Sequence, residues 1–498
     1  MKITDVKDLK YRILAGTGET DYADLVYDTR KVGPGCLFVC QRGERFDSHT
    51  CLSEIAAAGA AGAVVQEDCM DGIKIPQDMN IIAVEDTRSA LALISNCYFG
   101  YPAGELTTIA VTGTKGKTTT AGMIRHILDR AGMPCGYMGT VGIDYPGHHE
   151  DLMNTTPEAF KVQKAFREMI DNGCRCAVME VSSQAVKMHR IDGMIYDYGI
   201  FTNISNDHIG PTEHADFQEY LDCKTAIMSQ CRDIVVNADD EHSSYVIDHA
   251  GVKNVETFGQ SDKADHRITG IKYVSDHDFI GLEMTSEYAG KVLTSDIGIP
   301  GGFNAMNAIS AIAVCRKIGV PEDVLSDALK DFHINGRMET VYSDKDVKII
   351  IDYAHNEVST QALLETLRNY DHQRLVVVFG CGGNRSKERR YGMGKVAGEL
   401  SDLAILTEDN SRYEDIHDIL ADIRSTFDKT GGRCVEVPRR AEAVKYAIEH
   451  RRPGDIIAII GKGHEDYIEV EGKRTHYTDK EAVYAALEEL GISCGPQA

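Results

Sequence analysis

The residues best suited to chemistry lie in the stretch 108–120, which reads TIAVTGTKGKTTT. A short β-branched run precedes a glycine-containing turn, and a helical pattern follows from Ala121. In a strand–loop–helix unit of this kind, successive backbone N–H groups can surround phosphate oxygens. Lys117 can reach the outer phosphates of a nucleotide, and the Thr118 hydroxyl can ligate Mg²⁺. Because Val111 stands where the strict P-loop pattern has a glycine, the match is to a relaxed form, and a structural turn is the alternative.

Two further apolar segments end in polar residues that can face this loop. Segment 176–181 ends near Glu180, with Ser182 next to it, and segment 198–210 runs into Asn203 and His208. Ligands of open α/β sheets gather at the carboxyl ends of the strands. Glu180 and His208 are therefore candidate Mg²⁺ ligands, although a lone acid at a strand end can also simply face solvent.

Polar residues elsewhere carry weaker signals. Residues 154–157 form a hydroxyl-rich loop before a predicted helix, and residues 28–30 lie beside a Gly-Pro-Gly turn that can serve as a binding edge. Asn304 and Asn307 are one helical turn apart and can read a purine edge, although capping the helix is the simpler role for Asn304. Lys224 lies in a predicted helix and by itself indicates a solvated surface.

Strands that alternate with helices predict an α/β protein with a central P-loop ATPase sheet and a C-terminal Rossmann-like domain. The predicted domains cover residues 1–105, 106–335 and 336–498, as expected for a chain of 498 residues. In the third domain, apolar strands end in polar loops. Those segments are 349–355, 375–390, 403–412 and 456–465.

Composition restricts the partners and the compartment. With 43% hydrophobic and 26% charged residues, the chain has the composition of an ordinary globular protein. Its formal net charge of −24 argues against a nucleic-acid or anionic-membrane partner. The start lacks an apolar signal region and no stretch has bilayer length, so a cytoplasmic location is expected. The 14 cysteines show no zinc-type spacing and predict reduced thiols.

Taken in order, these motifs resemble those of the Mur ligase family, the ATP-dependent amide-forming enzymes of peptidoglycan synthesis. The matching motifs span nearly the whole chain: the phosphate loop, NTTP at 154–157, EVSS at 180–183, FTNISNDH at 201–208, GRME at 336–339, DYAH at 352–355 and GKGHE at 461–465. The resemblance implies an ADP-forming ligase that adds the third stem-peptide residue to UDP-MurNAc-L-Ala-D-Glu through an acyl phosphate. It also implies small-molecule substrates, ATP as co-substrate, two Mg²⁺ ions and a monomer.

The resemblance implies roles for individual residues. The catalytic residues would be Lys117, Glu180, His208 and Lys224, and the metal ligands Thr118, Glu180, His208 and Lys224 as a carbamate. The ATP-binding residues would be Thr112, Gly113, Thr114, Lys115, Gly116, Lys117, Thr118, Thr119, Asn304, Asn307, Arg337, Asp352 and His355. The UDP-substrate residues would be Tyr27, Thr29, Arg30, Gly43, Glu44, Arg45, Phe46, Asn154, Thr155, Thr156, Ser182 and Arg190. The amino-acid-binding residues would be Arg390, Asp409, Asn410, Ser411, Arg412, Gly461 and Glu465.

Several departures from the family pattern leave the substrate open. Lys115 stands where Asn is usual, segment 209–214 reads IGPTEH in place of the usual residues, and Ser411 stands where diaminopimelate-adding enzymes have Pro. Arg412 is retained, and its guanidinium suits the distal carboxylate of meso-diaminopimelate, which favours this amino acid over L-lysine. The alternatives are the same reaction with L-lysine or another amino acid, a paralogous ligase with a different carboxylate substrate, and a non-catalytic nucleotide-binding scaffold.

Overall fold

The computed structural model describes residues 1–43, 46–206, 209–210, 213–276 and 279–492. It divides into two compact units, Met1–Arg267 with Ser310–Pro321, and Ile268–Ile309 with Glu322–Ala498. The chain is an α/β protein, as predicted. The three-domain division stays a prediction. Among the described residues, no helix is long and apolar enough to cross a membrane.

The first unit begins with a five-stranded sheet. Its elements are β1 (Arg12–Ala15), β2 (Asp24–Val26), β3 (Cys36–Val39), β4 (Gly62–Gln66) and β5 (Asn80–Val84), with helices α1 (Leu52–Ala57) and α2 (Thr87–Tyr98). The strand order is β1-β5-β4-β3-β2, and every pair except β1 with β5 is parallel. Both faces of the central strands are buried, which explains the continuous apolar run of β3.

A second sheet in this unit carries the phosphate loop. Its strands are β6 (Thr107–Thr112), β7 (Cys135–Gly139), β8 (Gly142–Tyr145), β9 (His148–Glu150), β10 (Cys176–Glu180), β11 (Tyr196–Phe201), β12 (Cys231–Asn237) and β13 (Asn254–Gly259). Its helices are α3 (Lys117–Arg130), α4 (Ala159–Asp171), α5 (Ser183–Lys187), α6 (Phe217–Ser229) and α7 (Ser243–Ala250). The order β13-β12-β11-β6-β10-β7 is parallel throughout, and β8 and β9 continue it antiparallel.

Strand β6 is therefore flanked by β10 and β11. Glu180 at the end of β10 pairs with Val111, and Phe201 at the end of β11 pairs with Thr112. The carboxyl ends of the three strands meet at one edge, as the sequence predicts.

The next elements along the chain are three strands and two helices. They are β14 (His266–Ser275), β15 (Ile280–Tyr288), β16 (Lys291–Ile297), α8 (Phe303–Ile318) and α9 (Glu322–Asp327). β15 and β16 pair antiparallel from Leu282 with Ile297 to Tyr288 with Lys291.

The second unit ends in a Rossmann-like layer, as predicted. Its strands are β17 (Glu339–Ser343), β18 (Val347–Asp352), β19 (Arg374–Phe379), β20 (Leu403–Leu406), β21 (Cys434–Glu436), β22 (Asp455–Ile460), β23 (Tyr467–Val470) and β24 (Lys473–His476). Its helices are α10 (Glu357–Leu367), α11 (Lys387–Leu400), α12 (Ile416–Phe427), α13 (Arg440–Glu449) and α14 (Asp479–Glu489). The order is β17-β18-β22-β19-β20-β21, with only β17 antiparallel, and β23 and β24 form a separate hairpin.

Candidate active site

The phosphate loop is shaped by two glycines and held against the end of β11. Gly113 has φ of 153°, and a Cβ there would lie 1.9 Å from the Thr202 hydroxyl oxygen. Gly116 has φ of 86°. The Thr114 N–H donates to the Asn203 carbonyl at 2.8 Å, and the Lys115 N–H donates to the Asn203 side chain at 2.9 Å. The Lys115 contacts with Asn203 use its backbone, because the Lys115 carbonyl also accepts from the Asn203 amide at 3.1 Å. The exposed Lys115 side chain is therefore compatible with the shape of the loop.

Two lysines converge on one carbonyl of this loop. The Lys117 Nζ donates to the Gly113 carbonyl at 2.9 Å and to the Thr114 carbonyl at 3.1 Å, and the Lys224 Nζ donates to the Gly113 carbonyl at 2.8 Å. Lys224 is only 1% exposed and lies 4.6 Å from the ring centre of Tyr220. The surface role indicated by the sequence pattern alone is wrong for Lys224, because α6 turns this residue inward toward the loop. Its carbamylation stays a prediction.

Glu180 is the best-anchored acid at this edge. Its side chain is fully buried, and its Oε2 accepts from the Thr118 hydroxyl at 2.9 Å and from the Thr140 hydroxyl at 3.2 Å. Its Oε1 accepts from the Thr140 N–H at 2.9 Å and from the Tyr137 hydroxyl. Burial and the neighbouring carboxylate raise the pKa of Tyr137, so its hydroxyl stays protonated and acts as the donor. This arrangement fixes the orientation of the carboxylate relative to the phosphate loop.

The oxygen atoms at this position fit a divalent cation. A carboxylate oxygen and a hydroxyl oxygen lie 2.9 Å apart at the start of α3, where nucleotide phosphates are expected. Mg²⁺ prefers one or two carboxylates together with phosphate oxygens and water. His208, the other predicted protein ligand from this edge, lies outside the described residues.

The hydroxyl-rich loop predicted to hold the UDP-substrate lies beside Glu180. The Thr156 hydroxyl donates to the Glu180 carbonyl at 2.9 Å and accepts from the Ser182 N–H at 3.0 Å. Arg190 donates to the Thr156 carbonyl at 3.0 Å, and the hydroxyl of Thr155 lies within 3.1 Å of the Thr140 hydroxyl. Asn154 is exposed. These contacts bring four of the five predicted residues from this region together at the edge that carries the phosphate loop.

The N-terminal candidates lie in the segments that follow β2 and β3 of the first sheet. Arg30 is highly exposed and pairs with Asp28 at 2.8 Å, and Thr29 begins the short 3-10 helix Thr29–Lys31. The Gly43 N–H donates to the Phe46 carbonyl at 2.9 Å, and the Phe46 side chain is 56% exposed. Tyr27 is partly buried, and Glu44 and Arg45 lie outside the described residues. The role of this group in substrate binding stays a prediction.

A cluster of Asp47, His49 and Cys69 has the ligand types of a metal site, but its hydrogen bonds argue against one. The His49 Nε2 accepts from the Gln66 N–H at 2.9 Å, so the ring proton lies on Nδ1, which faces Asp47 at 2.5 Å. A metal on Nδ1 would require the proton to move to Nε2, where it would face the Gln66 N–H. His49 is therefore a buried structural bridge between two chain segments.

Two of the predicted ATP-binding residues lie in α8. The Asn304 side chain donates to the Pro300 carbonyl at 2.7 Å, and the Asn307 side chain donates to the Asn304 side chain at 3.0 Å. The two amides share a face, as predicted. The capping role of Asn304 is wrong, because α8 begins at Phe303 and Asn304 already lies within it.

Three further predicted ATP-binding residues, Arg337, Asp352 and His355, lie near the end of β18. The partly buried Asp352 carboxylate accepts from the Met338 N–H at 2.7 Å, and its desolvation raises the pKa of Asp352. The Arg337 guanidinium lies 4.9 Å from the Tyr353 ring centre, and the His355 Nδ1 lies 2.8 Å from the Tyr353 carbonyl. The motifs GRME and DYAH therefore meet at one strand end of the second unit.

The predicted amino-acid site contains a buried lysine that the sequence reasoning missed. Asp409, Asn410 and Ser411 are buried, and the Lys462 Nζ lies 3.2 Å from Asp409 Oδ1, 3.3 Å from Asn410 Oδ1 and 3.2 Å from Glu465 Oε2. The Asn410 amide donates to the same Glu465 oxygen at 2.9 Å. Lys462 stands in the motif GKGHE next to Gly461, which has φ of 114°.

The two predicted arginines of this site differ in their surroundings. The Arg390 guanidinium is 1% exposed and pairs with Glu414 and Asp422, each at 2.8 Å, so its charge is balanced within the protein. Arg412 is partly exposed, donates to the Gly383 carbonyl at 2.8 Å and has one long contact, 3.9 Å, with the Glu469 carboxylate. Arg412 therefore retains more capacity for an anionic group than Arg390.

A second feature missed from the sequence lies beside the phosphate loop. His214 is fully buried, and its Nε2 lies 2.8 Å from the Ser183 hydroxyl. Tyr220 packs against His214, and its hydroxyl lies 3.0 Å from the Thr114 hydroxyl. Segment 209–214, which departs from the family pattern, thus ends in His214, and this residue contacts Ser183 of the EVSS segment. The two residues are 31 positions apart in the sequence, so no local pattern predicts their contact.

Comparisons with known proteins identify the family to which this chain is similar. Residues 111–315 match the Mur ligase middle domain, and residues 336–463 match the Mur ligase, glutamate ligase domain. The chain is 36% identical over 492 residues to a UDP-N-acetylmuramoyl-L-alanyl-D-glutamate–2,6-diaminopimelate ligase of Clostridium perfringens, covering 97% of this chain and 98% of that protein. It is 34% identical to the protein of the same name from Geobacillus kaustophilus, covering 95% and 96%.

Solved structures show the same relationship. A structure of a UDP-N-acetylmuramoyl-L-alanyl-D-glutamate–2,6-diaminopimelate ligase matches with a TM-score of 0.79 and 26% identity, covering 99% of this chain and 100% of that chain. A Mycobacterium tuberculosis folylpolyglutamate synthase matches with a TM-score of 0.56 at 17% identity and covers 82% of this chain and 96% of that chain, which is a likeness of fold alone. The chain belongs to the Mur ligase family.

Proposed function

We propose that this chain joins an amino acid to UDP-MurNAc-L-Ala-D-Glu, with ATP converted to ADP and phosphate, as a step of peptidoglycan synthesis. The observation that carries the proposal is the buried Glu180 carboxylate, held against Thr118 of the phosphate loop at 2.9 Å. The likeness to relatives named for this reaction extends over 97% of the chain. A scaffold without activity has no need of a buried acid fixed by four donors beside a phosphate loop.

The protein groups suit transfer of a phosphoryl group. The Lys117 ammonium and the N–H groups at the start of α3 can stabilise negative charge on the transferring phosphoryl oxygens. Thr118 and Glu180 would hold one Mg²⁺, and Glu180, His208 and carbamylated Lys224 are the proposed ligands of a second. When bound, Mg²⁺ would neutralise charge on the phosphate oxygens.

The reaction has two steps. In the first, an oxygen of the D-glutamate γ-carboxylate attacks the γ-phosphorus of ATP, the bond to the β-phosphate oxygen breaks, and ADP leaves. In the second, the amine lone pair of the amino acid attacks the acyl carbon, phosphate leaves with the bonding electrons, and the nitrogen loses a proton. Thr155, Thr156 and Ser182, which lie beside Glu180, would orient the carboxylate for the first step.

We propose meso-diaminopimelate as the amino acid. Its distal carboxylate matches the guanidinium of Arg412, which keeps a partly exposed side chain beside the buried Asp409–Ser411 segment. L-Lysine lacks that carboxylate, so the guanidinium would gain no anionic partner from the substrate beyond its 3.9 Å contact with Glu469. We also propose that the enzyme acts as a cytoplasmic monomer on soluble substrates, which agrees with the free cysteines of the described chain.

The test uses the purified full chain with ATP, Mg²⁺ and UDP-MurNAc-L-Ala-D-Glu, and supplies each candidate amino acid alone. We expect phosphate release and a nucleotide product whose mass includes meso-diaminopimelate, with a much weaker reaction for L-lysine. Lys117→Ala should release no ADP, and Lys395→Met, a change of an exposed lysine in α11, should behave as wild type. If no phosphate were released with any of the amino acids, the substrate assignment would be refuted. Ordinary turnover by Lys117→Ala would refute the role of the loop.

A further inference from the structure

Lys462 is a buried cation surrounded by predicted substrate-binding residues. Its side chain has no exposed surface, and it follows β22 in the second unit. Its Nζ lies within 3.3 Å of oxygens from Asp409, Asn410 and Glu465. A buried lysine is stabilised only when anionic or dipolar oxygens compensate its charge, and here three side chains do so.

The contacts are unevenly distributed over the Glu465 carboxylate. Its Oε2 accepts from both the Lys462 ammonium at 3.2 Å and the Asn410 amide at 2.9 Å. Its Oε1 faces only a long contact of 3.5 Å with the Tyr353 hydroxyl among the hydrogen bonds of the described residues. The Glu465 side chain is 21% exposed. One oxygen is therefore anchored, while the other can accept a hydrogen bond from a bound molecule.

Lys462 also contacts both of the loops that carry the predicted amino-acid-binding residues Asp409, Asn410 and Glu465. Asp409 and Asn410 follow β20, whereas Glu465 follows β22, and these strands are not neighbours because β19 lies between them. The ammonium contacts side chains from both loops. Two carboxylates near one point would otherwise repel each other, since like charges in a buried region are poorly screened.

We propose that Lys462 is a positioning residue for the amino-acid substrate: it fixes Glu465 and Asp409 so that the open Glu465 oxygen receives a cationic amino group. This inference rests on the proposed function, because it presumes that the amino acid binds at this loop cluster. It predicts that loss of Lys462 weakens binding of the amino acid and leaves formation of the acyl phosphate intact.

The test separates these two steps. Hydroxylamine traps an acyl phosphate as a hydroxamate without any amino acid, so it reports on the first step alone. For Lys462→Met, we expect the KM for meso-diaminopimelate to rise about tenfold or more. Hydroxamate formation and the KM for ATP should stay within about twofold of wild type. Lys462→Arg, which keeps the charge, should recover part of the loss, and Lys395→Met serves as the control.

A double-mutant cycle tests whether Lys462 acts through Glu465. If it does, Lys462→Met and Glu465→Gln should each raise the KM, and the double variant should exceed the larger single effect by no more than about twofold. Multiplicative effects would contradict the positioning role. Should Lys462→Met fail to fold, Asp409→Asn in the same background removes one uncompensated charge, and the KM of that folded variant should exceed the KM of Asp409→Asn alone; an equal KM would contradict the role of Lys462.

The failure of this inference can be distinguished from failure of the proposed function. A wild-type chain that forms hydroxamate and adds meso-diaminopimelate, together with an unchanged KM in Lys462→Met, would overturn the role of Lys462 alone. A wild-type chain that forms no hydroxamate would overturn the proposed function instead.

Discussion

Gly139→Ala tests whether the position of Glu180 governs the reaction. A Cβ at Gly139 would lie 2.2 Å from Glu180 Oε1 and 2.5 Å from the Tyr137 hydroxyl, whereas ordinary contacts begin at 3.4 Å. Gly139 is not among the glycines with positive φ, so its backbone can accept alanine and the effect is steric. The carboxylate must therefore move by about 1 Å, and a misplacement of that size costs about 100-fold in rate.

The assay is kcat for phosphate release at saturating substrates, together with the free energy of unfolding from urea denaturation. We expect kcat to fall about 100-fold, while overpacking lowers the free energy of unfolding by about 1–3 kcal/mol. Gly104→Ala is the matched control, because a Cβ there meets no atom within 4 Å. If Gly139→Ala kept a kcat within about twofold of wild type and folded normally, the geometry of Glu180 would not control the reaction.

Three further changes probe other parts of the chain. Lys224→Ala should lose about 100-fold or more in activity, and added acetate should restore part of it by supplying the missing carboxylate; no restoration would count against a carbamate. The Asp192 carboxylate raises the pKa of His189, so this pair stabilises the fold fully below about pH 6.5, and its contribution is lost as pH rises through the higher folded pKa. His189→Asn, which suits the φ of 56° there, should flatten the dependence of the melting temperature between about pH 6 and 8; an unchanged slope would refute this. Arg440→Met should cost about 3–5 kcal/mol of unfolding free energy, because it leaves the buried Asp479 carboxylate without its partner at 2.7 Å; a loss under about 1 kcal/mol would contradict this.

The edge that carries the phosphate loop could be predicted from the sequence. Each of its strands is a short apolar run that ends in polar residues, and parallel strands place such ends at one edge of the sheet. That rule was sufficient to predict that Glu180 lies at the edge that carries the phosphate loop, and the structure adds its contact with the Thr118 hydroxyl at 2.9 Å. This prediction did not depend on knowing the order of the strands in the sheet.

The groups that support these residues could not be predicted in the same way. Tyr137 and Thr140 anchor Glu180 from about 40 positions earlier in the chain, and no local pattern distinguishes them from other core or turn residues. Lys462 contacts Asp409 across 53 positions, and sequence periodicity gives no sign of that contact. The capping role considered for Asn304 was wrong for a local reason, because helix boundaries near a Gly-Gly turn shift by a residue or two, and its ATP-binding role stays a prediction.

Transfer of oxygen-18 tests the proposed reaction most directly. UDP-MurNAc-L-Ala-D-Glu labelled with oxygen-18 in both oxygens of the D-glutamate γ-carboxylate is incubated with the full chain, ATP, Mg²⁺ and meso-diaminopimelate, and the released phosphate is analysed by mass spectrometry. Attack of the carboxylate on ATP followed by amide formation places one labelled oxygen in each phosphate and one in the new amide. We expect labelled phosphate in step with amide formation. Unlabelled phosphate alongside a formed amide would contradict the acyl-phosphate mechanism.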